Sequence, residues 1–256
     1  MEKNKLYFSK VWIKSLLILI PIVCILSFGI IKNITNGNAQ GGILIIIIIV
    51  ISVVLIYFIR NKGKENISKR FQNETSAELL QYYDKIYSNL APTLKDKDAM
   101  LIYSKCVVCC YYGEFDKVEQ MLNEINWSFR ISYIQSLEIS IKALICYLQT
   151  ENYNEGIRLS ILSKQLGSVS DNVPGGNKTQ NFYETYIQIG ELLNGSIDNN
   201  IIESLEGKYK ESPILIKPLI AYCLSKTYMK MNMKEKAGEK IQYCKQVMPN
   251  CKPLFN

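Results

Sequence analysis

Cys106, Cys109 and Cys110, in the stretch CVVCC, are the residues whose type and spacing first suggest chemistry. Thiols three and four residues apart share one face of a helix, where they could hold a soft metal or exchange disulfides. A zinc site needs a fourth ligand and usually a second pair, and Cys146, Cys223, Cys244 and Cys251 supply no CxxC. The chain contains no histidine, which removes Ser-His and Cys-His nucleophile pairs and every imidazole metal ligand. The segment GSVSDNVPGGNKT at 167–179 superficially resembles a phosphate loop, but Asn177 separates Gly176 from Lys178 and a helical pattern precedes it, where the motif needs GxxxxGK[ST] after a strand. It reads as an inter-helix loop. Acidic residues are scattered over helix faces, with no pair placed for general acid and base work. No enzyme, no cofactor and no metal is therefore expected. The cysteines read as small buried hydrophobes, with a ligand or redox-sensing role as the alternative.

The elements that would carry these residues fall into two kinds, divided near residue 74. Residues 15–31 (SLLILIPIVCILSFGII) and 43–59 (ILIIIIIVISVVLIYFI) hold no charge, whereas later apolar runs are broken by charge at helical spacing. A helix of either length rises about 26 Å, close to the ~30 Å of a hydrocarbon core. Trp12 and Lys14, then Tyr57, Phe58 and Arg60, supply interfacial flanks. Both segments are expected to span a membrane, the first kinked at Pro21. A cleaved signal peptide would need a small-x-small site, which does not follow the first segment. Lipoprotein processing at Cys24 would need a small residue just before it, where Ile22 and Val23 stand. A buried soluble hairpin would need a polar face that the isoleucine run lacks.

Charge fixes the expected orientation. Lys3, Lys5, Lys10 and Lys14 precede the first segment, and Arg60, Lys62, Lys64, Lys69 and Arg70 follow the second. The intervening KNITNGNAQGG (32–42) carries only Lys32. The positive-inside rule then places both termini in the cytoplasm and the short loop outside, in a bacterial-type inner membrane. Residues 1–73 hold ten Lys and Arg against Glu2 and Glu65, a net of +8, while residues 74–256 hold twenty against twenty-one, a net of −1. The overall +7 thus belongs to the membrane flank and gives no support to nucleic-acid binding, which needs a basic field on the folded domain. Arg60, Lys62, Lys64, Lys69 and Arg70 are expected to contact anionic lipid headgroups, at about 1 kcal/mol per charge. Seven of the eight cysteines lie in the later part, an odd set that suits reduced thiols of a cytosolic domain better than disulfides.

From residue 74 the pattern is helical and no alternating run suggests a strand. Helices are expected at about 74–90, 98–112, 115–126, 131–150, 154–166, 179–194, 199–210, 214–231 and 234–247. Breaks are expected at Ala91-Pro92, Gly113, Asn152, VPGG (173–176), Gly195, Pro213 and Asn232. Short turns imply helix pairs, and three stretches share one plan: CYYGEFDKVEQMLNEI (110–125), CYLQTENYNEGIRLSILSKQ (146–165) and TYMKMNMKEKAGEKIQYCKQVMP (227–249).

Each stretch has an aromatic on a first helix, a polar turn, and an amphipathic second helix, and so resembles the tetratricopeptide repeat. In the first, Gly113 matches the turn glycine, Phe115 the aromatic after it, Val118 the small packing position and Leu122 the large one, with Ile102, Cys106 and Cys109 at core positions of the preceding helix. The middle stretch keeps Leu144, Tyr147, Tyr153 and Gly156; the last keeps Tyr228, Ala237, Ile241, Cys244 and Pro249. Glu151 and Asn232 replace the turn glycine, Lys234 replaces the aromatic, and the spacing of 38 and then 81 residues leaves room for a divergent pair at 179–211. The resemblance implies an all-α solenoid built from stacked helix pairs, with another α-helical repeat or an irregular bundle as the alternative, and a groove lined by first-helix residues: Tyr103, Tyr111, Ile145, Gln149, Tyr222, Lys226, Met229 and Lys230. These suit capture of a peptide or partner helix, although Tyr103 and Tyr222 could equally pack against neighbouring helices.

The expected organisation is a cytoplasmic basic N-terminus (1–14), transmembrane helix (15–31), extracytoplasmic loop (32–42), second transmembrane helix (43–59), basic juxtamembrane linker (60–73) and cytoplasmic tetratricopeptide-like domain (74–256). The expected function is a membrane-anchored scaffold for a protein or peptide partner. The alternative is a peptide- or redox-responsive sensor that uses the same groove.

Overall fold

The computed structural model describes residue 52 and residues 67–90, 96–168, 176–213 and 215–255, with the backbone alone over 176–180. The expected membrane spans 15–31 and 43–59, the loop 32–42, the N-terminus 1–14 and residues 60–66 lie outside the described residues, as do the breaks at Ala91-Pro92 and 173–175. Among the described residues the chain is helix and turn with no strand, and no helix is long and apolar enough to cross a membrane. The domain is all-α.

After a helical stretch at 67–73 come α1 (Ser76–Ser88), α2 (Lys97–Tyr112), α3 (Phe115–Leu122), α4 (Ser132–Ile145), α5 (Tyr153–Ser168), α6 (Gly176–Leu193), α7 (Asn199–Glu211), α8 (Lys217–Lys230) and α9 (Lys234–Val247). A 3-10 turn, Trp127–Phe129, precedes α4; a π turn, Cys146–Thr150, follows it; a 3-10 turn, Lys252–Leu254, closes the chain. Local sequence accounts for several boundaries. Thr75 and Glu78 form a reciprocal capping box at α1: the Thr75 amide donates to Glu78 Oε2 at 2.7 Å and the Glu78 amide to Thr75 Oγ1 at 3.4 Å. The Asp198 carboxylate caps α7 by accepting from the Asn200 amide at 2.8 Å, and Pro218 sits in the first turn of α8, where no helical donor is lost.

Helices pack as successive pairs: α2 on α3, α4 on α5, α6 on α7 and α8 on α9. Between pairs, α5 packs on α6 and α7 on α8, while first helices also meet, α2 with α4 and α6 with α8. Tyr147 is the best-defined packing knob of the interior. Its fully buried ring lies where a Cβ on Gly156 of α5 would come within 2.2 Å and one on Gly190 of α6 within 2.6 Å of its hydroxyl. The hydroxyl donates to the Tyr186 carbonyl at 3.0 Å and lies 2.9 Å from Ser160 Oγ. Two glycines and a serine thus make a slot of ring width, and close packing leaves no space for a methyl group there.

The first and last elements also meet. Phe71, fully buried, packs its ring against Tyr111 and Tyr112 at centroid separations of 6.5 and 6.3 Å. Gln72 Nε2 donates to the Gln246 carbonyl at 3.2 Å, and Asn250 Nδ2 and the Tyr112 hydroxyl both donate to the Glu74 carbonyl, at 3.4 and 2.7 Å. Tyr111 donates to the Leu215 carbonyl, and Pro253 lies against Gly113. Residues 67–73, expected as part of a linker, are a docked helical part of the folded unit, with Phe71 fully buried and Ile67 packed against the core.

Candidate functional site

Each helix pair turns at a residue with left-handed backbone: Gly113 (φ 76°), Glu151 (φ 51°), Gly195 (φ 101°) and Asn232 (φ 60°). Among the described residues the one other positive φ is at Asp96, just before α2. After Gly113, Glu151 and Asn232 the next helix begins two residues on, at Phe115, Tyr153 and Lys234. These three turns are superposable in sequence, although one is glycine, one glutamate and one asparagine. A left-handed non-glycine residue costs roughly 1–2 kcal/mol, so Glu151 holds this geometry against its own preference. The turn at Gly195 divides α6 from α7, which occupy the stretch left open for a divergent pair.

The residues expected to line a groove fall into three groups. Tyr111 and Tyr222 are buried, with 1% and 4% of their surfaces exposed. Tyr111 spends its hydroxyl on Leu215, and burial pushes its phenol upward beside Tyr103, Cys251, Cys110 and Cys244. Tyr222 is likewise pushed up by burial, with Tyr153 and Glu151 adding to the effect. Tyr103 and Ile145 are half-buried and pack against the core; burial raises the Tyr103 phenol, with Ser140 opposing the rise. Tyr103 and Tyr111 both lie within electrostatic reach of Tyr186 on α6. Tyr111 is thus committed to the interior, while Tyr103 keeps part of its surface at the edge of the core.

The remaining four stay accessible. Gln149 and Lys230 are exposed, Met229 is 53% exposed and Lys226 is half-buried. Lys226 lies over the Tyr222 ring at 5.5 Å from its centroid, and Lys230 Nζ donates to the Leu193 carbonyl at 3.1 Å. Tyr153, beside Glu151 and within reach of Tyr222, belongs with them: its phenol is raised first by burial and then by the Glu151 carboxylate. The accessible surface is thus a polar and methionine-bearing patch contributed by α8 and the turn after α4. Sequence reasoning assigned no role to Glu151 beyond the turn, and its position one turn residue from Tyr153 was the available signal.

The cysteines are placed as core residues. Cys106, Cys109, Cys110, Cys223, Cys244 and Cys251 are buried, Cys146 is half-buried, and all seven are free thiols. Cys106 Sγ faces the Val118 carbonyl at 4.0 Å and Cys109 Sγ faces Glu114 Oε2 at 3.6 Å. Burial pushes Cys106, Cys109, Cys223 and Cys244 up to about 12, with Glu114 adding to the rise at Cys109. Thiols so shifted stay protonated at neutral pH and are poor nucleophiles. Among the described residues no group of three His, Cys, Asp or Glu side chains is placed to hold a metal ion.

Of the residues expected at lipid headgroups, Arg60, Lys62 and Lys64 lie outside the described residues. Lys69 is exposed. Arg70 is turned inward: its guanidinium lies 3.9 Å from the centre of the Tyr82 ring and pairs with Glu74 at 2.6 Å.

Comparison with known families, with curated proteins and with solved structures gives no match.

Proposed function

We propose that the chain is a membrane-anchored scaffold: a two-helix hairpin at 15–31 and 43–59 tethers a cytoplasmic, tetratricopeptide-like solenoid that binds a protein or peptide partner. The succession of four helix pairs, three of them turning at a left-handed residue with the next helix starting two residues on, carries this reading, because stacked pairs joined by short turns are how a helical solenoid is built. Tethering confines the domain to a membrane surface and raises its effective concentration for partners held there. Arg60, Lys62, Lys64 and Lys69 would add attraction to anionic headgroups, with Arg70 committed to Tyr82 and Glu74.

The partner surface in this reading is Gln149, Lys226, Met229 and Lys230, edged by Ile145 and Tyr153. The test is recovery of partners from detergent-solubilised membranes with wild type and a Lys226→Glu, Met229→Ala variant. A protein held by wild type and lost by the variant supports the surface, and equal recovery by both removes it. Tyr222 is a poor choice for this test because its burial makes any loss ambiguous. Orientation has a separate measurement: a reporter fused after Asn256 is expected to be active only in a cytoplasmic format.

A further inference from the structure

The seam between the first and last elements is built differently from the joints between helix pairs. Neighbouring pairs share whole helix faces, such as α5 against α6. The seam joins short pieces: the helical residues 67–73, the end of α2, and the segment after α9 that carries Asn250, Cys251 and Pro253. From the side of residues 67–73, fully buried Phe71 supplies the apolar plug, with partly buried Ile67 also packed on the core. Around the plug stand isolated polar bonds from Gln72 and Asn250, both exposed residues. Two buried atoms beside it, Arg70 Nε and Glu74 Oε2, make no hydrogen bond among the described residues, and each such group costs stability.

Stacked repeats lose stability locally, one interface at a time, and the weakest interface opens first. The segment at the seam is also the one whose chain runs directly into residues 60–66 and the expected anchor. We propose that residues 67–74 form a releasable strap: docked, they cover the seam where the end of α2 meets the segment after α9; undocked, they uncover Tyr112 and Cys251 while the helix pairs, still joined through Tyr111 to Leu215 and Gly113 to Pro253, stay folded. Displacement of the chain at the membrane then reaches Tyr111 and Tyr112 through Phe71. This deepens the scaffold reading and rests on it for what the opening serves, namely access to the end of α2, which the strap covers.

Two native thiols report the event. Cys251 is fully buried at the seam, in electrostatic reach of Tyr111 and Tyr112. Cys223 is fully buried on α8, where its thiol donates to the Ile189 carbonyl at 3.5 Å. The full chain in lipid nanodiscs is labelled with N-ethylmaleimide and the rate at each cysteine is read by peptide mass spectrometry, for wild type, Phe71→Ala and the double variant Gln72→Ala, Asn250→Ala. Phe71→Ala is expected to speed labelling of Cys251 by about tenfold and leave Cys223 within about twofold of wild type, as for a sub-global opening. The double variant is expected to show the same selectivity at about threefold, and it decides the matter if Phe71→Ala fails to fold. Equal acceleration at both cysteines would mean that the strap is one more part of a single cooperative core, and unchanged labelling at Cys251 would mean that it does not cover the seam; either result overturns the proposal. The readout needs no partner, so its failure leaves the partner-binding surface untouched, and failure of partner recovery leaves the strap untouched.

Discussion

The slot around Tyr147 and the seam around Phe71 each bury one aromatic ring completely, yet they do so by opposite means. At Tyr147 the neighbours are glycines on two helices, and backbone approaches the ring from both sides. At Phe71 the neighbours are the rings of Tyr111 and Tyr112, the surrounding bonds come from the exposed amides of Gln72 and Asn250, and two polar atoms of Arg70 and Glu74 make no hydrogen bond among the described residues. Equal burial therefore does not mean equal rigidity. What differs is how many elements must move for the ring to come out: two long helices in the first case, one short segment in the second.

The largest expected effect is alkaline unfolding. Cys106, Cys109, Cys223 and Cys244 stay neutral in the fold up to about 12, against an ordinary thiol value of 9.0. The stability this provides is complete below 9.0, falls as pH rises above it because only the unfolded chain then releases protons, and is lost by the folded value. Between those values the unfolded chain releases protons that the folded thiols keep, so each rise in pH lowers stability and the loss accumulates over the four sites. Hydrogen exchange along this titration separates the two regions: protection at 67–74 should vanish at lower pH than protection around Tyr147. Loss in one step would end the distinction between slot and seam.

Next in size, Gly156→Ala is expected to cost about 3 kcal/mol in denaturant unfolding, near the upper end for overpacking, because the new methyl group would stand 2.2 Å from a ring carbon that has nowhere to go. Gly238→Ala, on α9, meets nothing within 4 Å and is expected to stabilise by up to about 1 kcal/mol through helix propensity alone. If the two glycine variants behave alike, the slot is not as tightly built as its distances indicate.

Much of this was legible in the sequence. The helix boundaries at 112, 115, 199, 234 and 247 coincide with those expected, because Gly113, Asp198 and Asn232 act through local backbone and capping chemistry. The turn alignment of Gly113, Glu151 and Asn232 was likewise visible, although nothing in a glutamate announces a left-handed φ. The side-chain assignments fared differently. Tyr103 and Tyr111 occupy groove positions by register, but Tyr111 is buried with its hydroxyl donated to the Leu215 carbonyl, a partner that no local spacing reveals. Phe71 was missed as a core residue because it follows a basic run, and helical spacing to Tyr111 and Tyr112 cannot be seen across forty residues.

The smallest expected effects concern the turns, and they test whether the repeated geometry is imposed or intrinsic. Glu151→Gly removes the cost of a left-handed β-carbon and is expected to stabilise by about 1 kcal/mol, provided the Glu151 carboxylate beside Tyr153 contributes less than that. Asn232→Gly is expected to gain only a few tenths of a kcal/mol, since asparagine already tolerates this region. Gly113→Ala runs the other way: it adds left-handed strain and a Cβ 3.3 Å from Pro253 at the seam. The turns are expected to rank Glu151 above Asn232 in what glycine restores, as read by thermal or denaturant midpoints. The reverse ranking would mean that Glu151 is held by its side chain rather than by its helices, and the turn after α4 would then owe its geometry to contacts such as that with Tyr153 more than to the helix pair it joins.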